Sequence, residues 1–121
     1  TGAEDHATAK TVAKSIVCSS LVKAAVFGAD ANWGRVLCAI GYSGANVDVH
    51  KVDVFFRSAA GTVCVCTGGA GVPFSEAEAK KILLEPEIEI LVDLNAGDES
   101  AAAWGCDLTY DYVKINGDYR T

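Results

Sequence analysis

Val52-Asp-Val-Phe-Phe-Arg-Ser-Ala-Ala-Gly-Thr-Val-Cys-Val-Cys66 is the stretch that decides the fold. Val52, Val54 and Phe56 fall on alternate positions, the period that places side chains on one face of a strand. Ala59-Ala60-Gly61 supplies a turn, and Thr62 to Cys66 returns as the second arm of a hairpin. Strand character is expected to begin as early as Val47. A hairpin at the centre of the chain implies an antiparallel sheet, so the flanking segments are read by what they add to it.

Downstream, Glu87-Ile-Glu-Ile-Leu-Val-Asp-Leu94 has the clearest alternation in the chain, with Ile88, Ile90, Val92 and Leu94 expected to face inward. Between the two lies Gly68-Gly-Ala-Gly71, read as a loop, and then Ser75-Glu-Ala-Glu78, a capping box that starts a short helix. Pro86 stops that helix. Upstream, Ala9, Val12, Ala13, Ile16 and Val17 form the stripe of an amphipathic helix from Asp5 to about Ser20, with Asp5 at its N-cap. Val22 to Phe27, closed by Gly28, reads as a short strand. Asp30 is positioned to cap a second helix lined by Trp33, Val36, Leu37 and Ile40. Ser100 to Cys106 reads as a further strand of small residues. A last helix follows from Asp107, with Leu108, Tyr112, Ile115 and Tyr119 on one face. The expectation is a single α+β domain of about five strands and about four helices, its sheet mixed or largely antiparallel.

The bulk properties narrow the function. A chain of 121 residues, half of them apolar, is long enough to bury a core and too apolar to be disordered. The net charge of −6, with basic residues scattered, argues against nucleic acid or an anionic membrane as partner. No run of residues has the length of a transmembrane helix, and no signal peptide is visible. The chain does not begin with Met, so its start is read as a processed or excised end.

Five cysteines make an odd number, and only Cys64 and Cys66 are close together. Metal signatures need two such pairs, so no metal site is expected. Strand alternation is expected to send both of these sulfurs to the core side. Cys18, Cys38 and Cys106 sit in apolar runs and read as small buried hydrophobes. The protein is read as cytoplasmic and reduced.

Three features invite a chemical reading. The glycines at 68, 69 and 71 would suit a phosphate cradle, but the lysine and downstream acid of the nucleotide-binding loops are missing, which favours an ordinary turn. Thr1 suggests an N-terminal-nucleophile hydrolase, in which the α-amine serves as base. It runs almost directly into a helix, however, whereas those nucleophiles open a buried strand. In Asp30-Ala-Asn-Trp-Gly-Arg35, Asn32 and Arg35 are suited either to binding a carboxylate or to a structural cap, with the arginine paired to an acid. His6 and His50 have no partner at ligand spacing.

Two longer motifs go further. Ser20-Leu-Val-Lys-Ala-Ala-Val-Phe-Gly-Ala-Asp-Ala-Asn-Trp-Gly-Arg35 resembles a signature of the ornithine acetyltransferase (glutamate N-acetyltransferase) family of arginine biosynthesis. So does Ala103-Trp-Gly-Cys-Asp-Leu-Thr-Tyr-Asp-Tyr-Val-Lys-Ile-Asn116, followed by Tyr119-Arg-Thr121. The resemblance covers essentially the whole chain and implies a precursor that cuts itself before an internal threonine, giving α and β chains. The freed threonine carries acetyl from N-acetylornithine to glutamate, and some members also accept acetyl-CoA as a co-substrate.

By the same resemblance, residues 1–121 are the C-terminal domain of the β chain. The nucleophile lies outside it, as do the oxyanion-hole donors of the α chain, and no catalytic residue is expected within it. Asn116 and Thr121 match the last two substrate-contacting positions. The implied partners are the α chain and the rest of the β chain, two copies of each, and no bound cofactor is implied. Two other readings stand beside this one: a stand-alone small-molecule-binding α+β domain, and the Thr1 hydrolase.

Overall fold

The computed structural model describes residues 1–106; the expected helix from Asp107 onward lies outside the described residues. The first helix, α1 (His6–Cys18), starts where Asp5 accepts a hydrogen bond from the Thr8 amide at 2.7 Å. It buries Ala9, Val12 and Ile16, the expected stripe. Ser19 ends it with an extended backbone and at once caps the next helix, α2 (Ser20–Phe27), its hydroxyl accepting from the Val22 amide at 3.3 Å.

The Val22–Phe27 strand expected from sequence is therefore a helix. Its residues have no period of two, whereas Val22 and Ala25 are one helical turn apart and are the two that bury. Lys23, Ala24 and Ala25 are good helix formers, and the serine just upstream supplies the start.

Ala29 takes a left-handed backbone, φ 52°, and turns the chain into α3 (Trp33–Tyr42). Its N-cap is Asn32, not Asp30 as the sequence suggested, and it buries Val36, Ala39 and Ile40, with Trp33 and Leu37 packed partly against the core. A 3-10 turn over Val49–Lys51, capped by Asp48, delays the central strand, so β1 runs Asp53–Ser58 instead of starting at Val47. It pairs with β2 (Gly61–Thr67) across a two-residue turn at Ala59-Ala60.

Gly68 and Gly69 then both have positive φ, 59° and 77°, the backbone of a tight hairpin turn. That turn creates a short strand absent from the sequence reading, β3 (Ala70–Gly71), on the outer edge of β2. α4 (Glu76–Leu83) is capped by Ser75, whose hydroxyl accepts from the Glu78 amide at 3.2 Å, and it packs on β1 and β2. β4 (Glu89–Asp93) lies antiparallel on the other side of β1.

Among the described residues the sheet has order β3-β2-β1-β4 and every pair is antiparallel. The fold is α+β, with four helices and four strands in place of about five strands. The expected strand at Ser100–Cys106 does not form; a single bridge between Ala3 and Glu99 is all that pairs there. Its run of alanines lacks the β-branched and aromatic side chains that pack well on a pleated surface.

One face of the sheet is dry: Val54, Phe56, Val63 and Val65 are each at most 9% exposed, and they join α1, α3 and α4 in one core. The inward face expected of β4 is only partly realised. Leu94 is buried, while Ile88, Ile90 and Val92 stay half-exposed because β4 is an edge strand.

The cysteines also depart from expectation. The pairing slips by one residue opposite Val54–Phe55. This bulge breaks the alternation, so Cys66 is fully buried while Cys64 is only partly covered. Cys18, Cys38 and Cys106 are exposed; Cys18 and Cys38 lie on the outer sides of α1 and α3, whose opposite faces bury.

Candidate functional site

The Asp30–Arg35 turn resolves the choice left open by its residue types. Asn32 Oδ1 accepts from the Arg35 amide at 3.0 Å, and its Nδ2 donates to Asp30 Oδ2 at 3.1 Å. Both ends of the amide are therefore used within the turn. The Arg35 guanidinium donates through Nη1 to the Leu21 carbonyl at 3.0 Å, which ties the start of α3 to the start of α2. Asn32 is a structural cap. Arg35 meets a backbone carbonyl rather than the acid expected of a cap, and among the described residues the sole ion pair is Arg57–Glu89.

The glycine turn is likewise spoken for. The Gly68 amide donates to Asp53 Oδ1 at 2.9 Å and the Gly69 amide to the Val52 carbonyl at 2.9 Å. Amides committed to the protein leave no cradle for a phosphate, so the turn reading holds.

Asn95 extends this network from across the sheet: its Nδ2 donates to the Lys51 carbonyl at 2.7 Å and to Asp53 Oδ2 at 3.0 Å. Its backbone is left-handed, φ 52°, a conformation asparagine tolerates better than most residues. Sequence reasoning had no role for Asn95; the one local signal is its place ahead of Ala96-Gly97-Asp98, where an Asx turn is common.

Among the described residues a trough of about 1110 Å³ lies between the α1–α2 pair and the outer edge of β4. Val12, Ile16 and Val26 form one wall, Ile90 and Val92 the other, and Trp104 stands at the rim, 88% exposed. Gly105 lies so close to α1 that a Cβ there would come within 3.3 Å of Val17 Cβ, so the described chain ends against that helix.

Thr1 occupies the end of the trough, and its α-amine and hydroxyl both donate to the Val92 carbonyl, at 2.7 and 3.3 Å. An amine used in this way faces a carbonyl and not its own hydroxyl, which is poor geometry for a self-activated nucleophile.

Asn116 and Thr121 lie outside the described residues. Among the described residues no group of three or more His, Cys, Asp or Glu is placed to hold a metal ion. His6 Nδ1 sits 3.1 Å from the Ser100 carbonyl, a structural contact. No helix there is long and apolar enough to cross a membrane.

A family model, that of the ArgJ family, matches residues 1–121. The chain belongs to the ArgJ family. It is 59% identical over 113 residues to the arginine biosynthesis bifunctional protein ArgJ of Caldanaerobacter subterraneus, a match covering 93% of this chain and 28% of that protein. It is 48% identical over 120 residues to the glutamate N-acetyltransferase of Methanopyrus kandleri, covering 99% of this chain and 31% of the relative. The crystal structure of ArgJ from Bacillus halodurans superposes with a TM-score of 0.89 at 46% identity, covering 98% of this chain and 54% of that one. The ArgJ-family chain thus spans under a third of the length of these curated relatives.

Proposed function

We propose that residues 1–121 form the C-terminal domain of the β chain of a glutamate N-acetyltransferase. The whole protein moves acetyl from N2-acetyl-L-ornithine to L-glutamate in arginine biosynthesis. A threonine hydroxyl outside this chain attacks the acetyl carbonyl, ornithine leaves, and the amine of glutamate then takes the acetyl group from the threonine ester. Acetyl-CoA serves as an alternative donor in this reading, and no bound cofactor is needed. The partners are the α chain and the remainder of the β chain, two copies of each, produced by self-cleavage of one cytoplasmic precursor.

The observation that carries this reading is the family match across all 121 residues, together with 48% identity to a protein named glutamate N-acetyltransferase. Within the chain, Asn116 and Thr121 are assigned to substrate. An asparagine amide both donates and accepts, and a threonine hydroxyl does the same, which suits the ammonium and carboxylate of an amino acid. Groups of this kind hold the acetyl donor at the nucleophile, and orientation supplies much of the rate. The described residues contribute the scaffold. The Thr1 hydrolase has no support in the geometry at Thr1.

The test is to combine this chain with the separately expressed remainder of the protein and follow ornithine release from N-acetylornithine plus glutamate. Activity is expected only in the assembled mixture and is expected to fall sharply with Asn116→Ala or on removal of Thr121. Acetyl transfer by the chain alone would overturn the reading, as would an assembled but inactive mixture.

A further inference from the structure

We draw no further inference here: the strongest candidate, the trough between the α1–α2 pair and the outer edge of β4 with Trp104 exposed at its rim, carries nothing, because a strand laid along that edge restates the established fold of the family and nothing among the described residues shows another occupant.

Discussion

The indole of Trp33 lies against the backbone of Gly71, joining the start of α3 to the edge strand β3. A Cβ built on Gly71 would overlap the ring at Cζ2, stand 2.7 Å from Cε2 and 3.0 Å from Nε1. Gly71 does not have a left-handed backbone, so the ring, not φ, excludes a side chain there. Gly71→Ala is expected to cost about 1–3 kcal/mol through overpacking. Denaturant melts of Gly71→Ala, Trp33→Leu and the double variant check it. The double variant should recover part of the loss, because the methyl then meets no ring, and strict additivity would mean the two residues do not interact.

Asn32 offers a sharper separation of structural from ligand-binding roles. Its Oδ1 caps α3 by accepting from the Arg35 amide. Asn32→Ala should cost about 1 kcal/mol of stability, and Asn32→Ser, which keeps an acceptor, only a fraction of that. In the full-length protein the Asn32→Ser change should leave the KM for glutamate in the proposed acetyl transfer unaltered. A large rise in KM with stability intact would return Asn32 to the substrate site.

Two exposed carboxylates contribute to the acid side of the stability profile. The Thr8 amide holds Asp5 below its ordinary pKa of 3.8, and the Arg57 guanidinium, hydrogen-bonded at 2.6 Å, holds Glu89 below 4.5. A lowered folded-state pKa means stability that is fully present above the ordinary value and lost as pH falls through the lowered one. Melting temperature should therefore drop on acidification below 4.5, over the range in which the two groups take up protons. The combined Asp5→Asn and Arg57→Gln variant should show a shallower acid limb, with a small loss of stability at neutral pH where the Arg57–Glu89 pair is missing. An unchanged slope would place the proton uptake elsewhere. Both sites are solvent-screened, so the effect is modest.

The thiols should divide by position. Burial pushes the Cys66 thiol up, and it lies 3.7 Å from the Val52 carbonyl, while Cys18 and Cys38 are exposed. In the 121-residue chain a disulfide reagent at neutral pH should label Cys18 and Cys38 quickly and Cys66 only after unfolding, as followed by peptide mass. Rapid native-state labelling of Cys66 would contradict the core around β2.

The Asp5 cap, the α1 stripe, the Ser75 cap and the β1–β2 hairpin were legible in the sequence, because each rests on residues within a few positions of one another. Residues 20–27 were not, since a short apolar run with two alanines fits either period until Ser19 caps it. β3 was missed because two residues carry no period, and its existence depends on the positive φ of Gly68 and Gly69. At the candidate site the outcome was divided: the family was readable from two motifs, whereas Asn116 and Thr121 lie outside the described residues and rest on the motif alone.

The sequence by itself determined the class of fold, the central hairpin, the helix starts at Asp5 and Ser75, and the family, because local periodicity, capping and a long motif need no knowledge of distant neighbours. Only the tertiary structure decided that Trp33 closes on Gly71, that Asn95 reaches Asp53, that a bulge turns Cys66 inward, and that Thr1 meets the Val92 carbonyl. Each of these joins residues far apart in the chain. Which distant groups meet is set by the packing of helices on the sheet, and a backbone edge keeps its spare donors and acceptors whatever side chains it bears.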